Sequence, residues 1–554
     1  MSKPRRSNFR LLLSVYLGLL ALSWIVQAFR DFSPGVEPGA EVALLADPET
    51  GGEVRMTYLD IGMRGADPPQ PVLVLLHGSP GTLHDFRDVV PLLEQDYRLI
   101  VPSLPGFGGS RADQTDYSVR THAGYVLQLL DQLEIERAHL LGFSMSGGVV
   151  LELAEREPER VESLTLLAAI GAQEYELFGT YGLNHTAHRA QYLALEGLRF
   201  LVPHFGAMET TALNRHYARN FLDTDQRPLR TAMENYDGPA LVIHGDTDFL
   251  VPVEAAREHA RLMPQAKLIT WEDEGHFMLW RGVGHPERVA NELQLFLRAV
   301  DQGNQPSRSE APPERRQAAE APFDPDTVPA LEGMALILAI LAIAGATLVS
   351  EDLTCIAVGI VIAEGRLSFG AGVLGCFLGI FFGDVLLYLF GRYFGRGALA
   401  RRPLRWWLTP ERLDAASAWF QTRGLQVIFA SRFVPGFRVP TYVAAGVLHT
   451  PFLRFCLYFA VAVALWTPIL VGFSAWAGKR ALTFVESYSG WALPILGLLV
   501  LGIYFLQRLI LPLFSWRGRR MLLGAWRRKT RFEFWPLPIF YLPVALQILR
   551  LAWK

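Results

Sequence analysis

The charge balance of this chain breaks at about residue 330 and divides it into two parts of opposite character. From Ala330 to Lys554 there are 23 Lys and Arg against 9 Asp and Glu. The whole chain of 554 residues carries 52 against 54, so the first 329 residues hold 29 against 45. An acidic first part therefore precedes a basic, very apolar second part. The basic charges fall between long apolar stretches, the pattern of cytoplasmic loops in a membrane protein rather than of a nucleic-acid-binding surface. The length calls for two domains or more.

The apolar segments of the second part are Met334–Val349, Leu353–Ala363, Phe369–Phe390, Val427–Val447, Phe452–Ala477 and Trp491–Leu511. Several are interrupted by charge or by Gly and Pro, which predicts re-entrant hairpins lining a cavity. At the other end, Leu11–Phe29 is uncharged and long enough to span a bilayer, and Lys3, Arg5, Arg6 and Arg10 precede it. Positive charge stays inside, so the next domain is expected outside. An uncleaved anchor over residues 1–30 is favoured over a signal cut after Val26-Gln27-Ala28. Cys355, Cys376 and Cys456 all lie in apolar segments, and no spacing among them suggests zinc.

Between about Val54 and Val300, strand-like runs alternate with helical patterns, as in a mostly parallel sheet with helices on both faces. The expected strands are Val72–Leu76, Leu99–Pro102, Ala138–Gly142, Ser163–Ala169, Ala240–His244 and Lys267–Trp271. From about 171 to 237 the pattern turns aromatic and helical, with the length of a lid. Asp301–Thr327, rich in Pro, Glu, Arg, Gln and Ala without an apolar period, reads as a flexible, solvated linker. A membrane domain is expected over 328–480, then a further span and a basic, aromatic tail over 481–554.

The strand Ala138–Gly142 runs into Gly142-Phe143-Ser144-Met145-Ser146-Gly147, and the helical run Val149–Arg156 follows. A serine hydroxyl is a weak nucleophile. It needs a base, a carboxylate to orient the base, and N–H donors for the oxyanion. His244-Gly245-Asp246-Thr247-Asp248 and Gly275-His276-Phe277 supply these further along the chain. Asp248 is favoured over Asp246 as the acid, and His276 is the base. His77 and His244 are expected in structural hydrogen-bonding roles.

The order Ser144, Asp248, His276, with the loop His77-Gly78-Ser79-Pro80-Gly81, resembles the α/β-hydrolase family (AB hydrolase-1 type) over about 250 residues. The usual last Gly of Gly-x-Ser-x-Gly is Ser146 here. The resemblance implies an oxyanion hole built from the backbone N–H groups of Ser79 and Met145. A serine rather than an aspartate at 144 points away from epoxide hydrolases and dehalogenases, and toward ester, thioester or amide carbonyls.

In the second part, Ser350-Glu351-Asp352, Gly383-Asp384 through Gly391-Arg392, and Ser431-Arg432-Phe433-Val434-Pro435-Gly436-Phe437-Arg438 resemble the DedA family, also called the VTT or SNARE-associated domain. That resemblance spans Leu331–Gly478. It implies movement of lipids between leaflets, in bacteria with a proton-driven role. Arg432 and Arg438 lie in an apolar segment, where unpaired charge is expensive, and Arg suits phosphate. Glu351 or Asp352 either pairs with an arginine or carries a proton, and Asp384 joins the same candidate lipid and proton site. If Met334–Val349 spans fully, the hydrolase faces the cytoplasm. If it forms one hairpin with Leu353–Ala363, the hydrolase faces outside, which also suits the basic N-terminus and is preferred.

The expected fold is thus an α/β-hydrolase fold with a helical lid, plus an all-α polytopic membrane domain. The expected function is a bacterial inner-membrane serine hydrolase acting on a lipid or other acyl-bearing substrate, fused to a lipid-translocating domain. The alternative is a lipid transporter or scramblase whose hydrolase-like domain only binds. Membrane lipids are the expected partners. No cofactor, metal or nucleic acid is called for.

Overall fold

A computed structural model describes residues 6–30, 35–48, 50–62, 70–110, 114–210, 214–399, 426–432 and 438–487, with the single positions 418, 420 and 519. Trp491–Leu511, the basic run after Arg517 and the tail Glu533–Pro543 lie outside these residues. The chain divides into two compact units, Met1–Pro329 and Ala330–Lys554.

The first unit is built on an eight-stranded sheet in the order β1-β2-β4-β3-β5-β6-β7-β8. Its strands are β1 (Glu41–Ala46), β2 (Glu53–Ile61), β3 (Val72–Leu76), β4 (Arg98–Pro102), β5 (Ala138–Phe143), β6 (Val161–Leu167), β7 (Ala240–Gly245) and β8 (Lys267–Trp271). β2 runs antiparallel to β1 and β4, and all pairings from β4 to β8 are parallel. β3, β5 and β7 are buried along almost their whole length, so they appear in the sequence as unbroken apolar runs. β1 alternates between exposed and buried residues, as an edge strand does. The unit therefore starts before β1, at an earlier residue than the expected Val54, because a half-exposed edge pair carries little apolar signal.

The helices of this unit are α1 (Arg6–Phe29), α2 (Val90–Leu93), α3 (Val119–Gln132), α4 (Ser146–Arg156), α5 (Tyr181–Leu201), α6 (Arg215–Asp223), α7 (Arg227–Asn235), α8 (Val253–Leu262), α9 (Pro286–Asp301) and α10 (Pro313–Glu320). One core, with Val126, Leu130, Val150 and Leu153, lies under α3 and α4. A second, with Leu73, Leu141, Ile243, Leu293 and Phe296, lies under α9 on the other face. The expected lid segment holds α5, α6 and α7. Leu229, Ala232 and Met233 of α7 join the first core, so α7 belongs to the body rather than to the lid.

The expected linker is a correction. Residues 301–327 do not run free in solvent. They form a strap on the hydrolase unit that includes α10. The Arg261 guanidinium donates to the carbonyls of Ala318 at 2.7 Å and Ala321 at 2.8 Å, at the end of α10. Arg308 donates to Leu262 O at 2.9 Å and Arg315 to Ala266 O at 2.9 Å. Phe323 stacks edge-on against Tyr175, and the Tyr175 and Thr327 hydroxyls are 2.8 Å apart. Composition hid this because the strap is held by charged side chains bonding to carbonyls rather than by an apolar stripe.

In the second unit the described helices are α11 (Gly333–Val349), α12 (Glu351–Ala363), α13 (Phe369–Leu399), α14 (Gln426–Arg432), α15 (Arg438–Val447) and α16 (Phe452–Ser487). Among the described residues, two stretches, Phe369–Tyr393 and Phe452–Gly478, are long and apolar enough to cross a bilayer. Small residues make the crossings. A Cβ on Gly379 would lie 1.9 Å from Thr347 Oγ1 of α11. One on Gly391 would lie 2.1 Å from Val443 O of α15, one on Gly446 2.0 Å from Tyr388 O of α13, and one on Gly359 2.4 Å from Ser474 Cβ of α16. Backbones this close are how helices associate where the surroundings are as apolar as the side chains. Ser350, with extended backbone, separates α11 from α12.

Replacing Arg261 by alanine removes both carbonyl bonds at the end of α10, worth roughly 1 kcal/mol each. The expected result is faster limited proteolysis between residues 310 and 325, and a melting temperature lower by about 2–6 °C. Unchanged cleavage would show that the strap does not depend on this arginine.

Candidate active site

Ser144 stands at the turn between β5 and α4 with φ of +54°. A non-glycine residue there is strained by about 1–3 kcal/mol. Both of its backbone groups are held by the next strand connection: Ser144 N–H donates to Leu167 O at 2.9 Å, and Ile170 N–H donates to Ser144 O at 3.0 Å. The neighbours must be small. A Cβ on Gly142 would lie 2.3 Å from Ser146 O, and one on Gly147 2.4 Å from Ala169 Cβ.

Ser144 Oγ lies 3.0 Å from His276 Nε2, and His276 Nδ1 lies 2.7 Å from Asp248 Oδ2. With Nδ1–H donated to the carboxylate, Nε2 is left to accept the serine proton. Asp248 Oδ1 in turn accepts from the N–H groups of Leu250 at 2.8 Å and Val251 at 2.9 Å. Burial works against the Asp248 charge, but the bonds and charge from His244 and His276 win and hold its pKa at about 2. Asp248 thus stays ionised near neutral pH. His244 Nε2 is 2.9 Å from Val251 O and 3.3 Å from Asp248 Oδ2, so it braces the acid's own loop. It is Asp248, not Asp246, that meets His276.

The loop after β3 lies directly against the serine: a Cβ on Gly78 would come within 3.0 Å of Ser144 Cβ. This places the Gly78 backbone beside Ser144, and Met145, the next residue, is the N-cap of α4. His77 orders the loop. Its Nε2 accepts from Leu104 N–H at 2.8 Å, which puts the ring proton on Nδ1, donated to Gly78 O at 2.6 Å. Full burial lowers the His77 pKa to about 4, so the ring is neutral near pH 7.

Two residues here carry no sequence signal. The Ser146 hydroxyl is buried and donates to His77 O, tying the elbow to the neighbouring loop. A glycine in that place could not do so. Asp85, three residues past Thr82, takes a hydrogen bond from the Thr82 backbone, and burial raises its carboxyl to about pKa 7. Aromatic rings close around the histidine. Phe143 and Phe277 sit 5.2 and 5.4 Å from His276, and Trp280 lies 5.0 Å from Phe277. Phe249 and Leu250, beside Asp248, are exposed.

In the second unit, Arg438 Nη1 pairs with Glu351 Oε2. Asp352 is exposed and Asp384 is buried. Arg432 ends α14, and its side chain lies outside the described residues, as does the stretch 433–437. Among the described side chains, Glu351 is the one of the two expected acids that meets an arginine.

Asp85 ties stability to pH. Its folded pKa is raised, so between about pH 4 and pH 7 the unfolded chain releases a proton that the folded chain keeps. Stability falls with rising pH across that window and levels off above it, by at most about 4 kcal/mol and less where water reaches the carboxyl. Asp85→Asn is expected to flatten this slope in melting curves taken from pH 5 to 8. An unchanged slope would remove Asp85 as its source.

Residues 71–195 match the family model for the alpha/beta hydrolase fold, 213–293 that for TAP-like proteins, and 337–476 that for the VTT domain. Over 295 residues the chain is 31% identical to the dihydrolipoyllysine-residue acetyltransferase component of the acetoin cleaving system from Pseudomonas putida, spanning 50% of this chain and 75% of that protein. It is 29% identical over 275 residues to 2-hydroxymuconate semialdehyde hydrolase of a Pseudomonas species, spanning 46% of this chain and 96% of that one. An esterase structure from Thermogutta terrifontis aligns with 22% identity and a TM-score of 0.38, over 47% of this chain and 99% of the esterase. The chain belongs to the α/β-hydrolase family, with a VTT domain following the hydrolase unit.

Proposed function

We propose that this protein is a membrane-anchored serine hydrolase that cleaves an acyl bond in a lipid or other acylated substrate, and that its VTT domain moves lipid between leaflets. The observation that carries the hydrolase reading is the continuous hydrogen-bond chain from Ser144 through His276 to Asp248, on an elbow held at positive φ. In this mechanism Ser144 Oγ attacks the substrate carbonyl as its proton passes to His276 Nε2. Asp248 holds the ring and stabilises the imidazolium. The N–H groups of Ser79 and Met145 receive the oxyanion. Collapse expels the alcohol, which takes the proton from His276. Water then attacks the acyl-enzyme, gives its proton to His276, and the acid leaves as Ser144 regains its hydrogen. This sequence needs no metal or cofactor.

The choice of an apolar acyl substrate rests on the aromatic surround of His276 and on the exposed Phe249 and Leu250 at the acid's loop. The membrane reading rests on the VTT match, the two long apolar helices and α1. For the transport half, Glu351, Asp352, Asp384, Arg432 and Arg438 form the proposed lipid and proton site, on the inner membrane, with the hydrolase on the extracytoplasmic side. A charged pair between α12 and α15 suits a phosphate headgroup competing for the arginine.

Two measurements test this. A fluorophosphonate probe is expected to label the full-length protein and fail on Ser144→Ala, with ester hydrolysis falling by about 10⁴-fold or more. Asp248→Asn is expected to lose about 10⁴-fold in kcat through the wrong histidine tautomer. Absence of labelling in folded protein would leave a transporter whose first unit only binds. Separately, Glu351→Gln is expected to abolish lipid movement in reconstituted vesicles without altering Ser144 labelling. Full transport by that variant would remove the Glu351–Arg438 pair from the mechanism.

A further inference from the structure

The lid ends in an apolar surface that the hydrolase body does not cover. Leu193, Leu198, Phe200, Leu201, Val202 and Phe205 are all exposed, along the second half of α5 and the turn after it. Scattered exposed apolar residues are ordinary, but a run of six on one element marks an interaction surface.

What touches this run is α1. The last carbonyls of any helix lack partners within it and normally bond to water. Here α1 supplies the donors. Trp24 Nε1–H donates to Phe200 O at 3.1 Å, and the Tyr16 hydroxyl donates to Leu201 O. Phe205 N–H donates to Ser23 Oγ at 2.9 Å, and the Trp24 and Phe200 rings lie 4.8 Å apart. Tyr16, Leu20, Ser23 and Trp24 share one face of α1. Leu20 and Ser23 are buried there, while Leu13, Val15, Leu17, Leu22 and Ile25 remain exposed.

We infer that the lid segment Leu193–Phe205 is a bilayer-docking surface, seated at the boundary between headgroups and acyl chains of the membrane that holds α1. The inference rests on the reading of α1 as a membrane anchor. Three observations select a lipid surface as the occupant. First, the patch is continuous with α1, so a bilayer that takes α1 reaches it. Second, Ser23 lies six residues from Phe29, about 9 Å along the helix, and interfacial helices bury their apolar faces by about 5–10 Å. Third, carbonyls capped by neighbouring side chains rather than by water suit a place where water is scarce. Trp24, five residues from Phe29, is also of a residue type enriched at membrane interfaces. The charge beside the patch is paired: Glu196 lies 3.3 Å from Arg215 and 3.7 Å from Arg199. A lid seated in this way receives an acyl substrate from the bilayer rather than from solution.

The test uses the full-length protein in vesicles of phosphatidylcholine and phosphatidylglycerol containing a diazirine-bearing phosphatidylcholine. After irradiation, lipid adducts are mapped by mass spectrometry. Adducts on 193–205 are expected at a yield within about threefold of those on α1, as two segments at similar depth would give. Adducts on α1 with the lid at least about tenfold lower, the outcome if a second copy of the chain covered the patch, would overturn the inference and leave the anchor standing. Adducts on neither segment would overturn both. In Leu198→Glu with Leu201→Glu, lid adducts are expected to fall by about fivefold or more while those on α1 persist. Undiminished lid adducts in that variant would show that the apolar face does not seat the lid.

Discussion

The backbone of Ser144 is the constraint on which the first unit turns. At positive φ its strain is offset by three backbone hydrogen bonds: its N–H donates to Leu167, and its carbonyl accepts from Ile170 and Gly147. The bonds to Leu167 and Ile170, together worth about 1–3 kcal/mol, are of the size of the strain. They also fix where β6 must end, and hence where Gly147 of α4 meets Ala169. The hydroxyl is presented at the carboxyl end of the parallel strands because β5 stops there. The acid and the base come from the loops after β7 and β8, at the same end of the sheet. One strained residue and the parallel register thus bring together side chains 132 positions apart.

Around that point the charges are arranged in tiers. Asp248 is anchored by two backbone N–H groups and by His244, so it has no freedom to leave His276. His77 is kept neutral by burial and orders the adjoining loop by accepting one N–H and donating to one carbonyl. Asp85 is the weaker tier. Its carboxyl sits where burial opposes ionisation, with a backbone bond as its main compensation. Ionisable groups near one site are thus held in different protonation states by local surroundings alone.

The parts legible in the sequence are those with a strong local pattern. β3, β5 and β7 read as apolar runs because both faces are covered, and Ser144, Asp248 and His276 follow β5, β7 and β8, each shortly after a glycine. β1 and β2 escaped notice because an edge pair exposes residues such as Glu41 and Glu53. The strap escaped for the opposite reason: it looks like solvated chain, yet Arg261 of the body holds its carbonyls and its own Arg308 and Arg315 hold carbonyls of the body, contacts between residues 46 to 57 positions apart. Ser146 looked like a mild departure from a glycine pattern and turns out to hold a hydrogen bond. The glycines of α13 and α15 have meaning only in pairs of helices, as with Gly391 against Val443 and Gly446 against Tyr388.

The two units solve the burial of charge in different ways. In the hydrolase unit, Asp248 is met by His244 and His276 as well as by two backbone N–H groups of its own loop, so its ionisation does not hinge on a single partner. In the VTT unit, Glu351 pairs with Arg438 across 87 positions of sequence, on two different helices. Removing one member of a buried pair leaves the other charge poorly compensated and is destabilising. In the function proposed above, a proton on the acid or an anion at the arginine takes the place of that cross-helix partner, whereas Asp248 keeps its backbone and histidine partners at once.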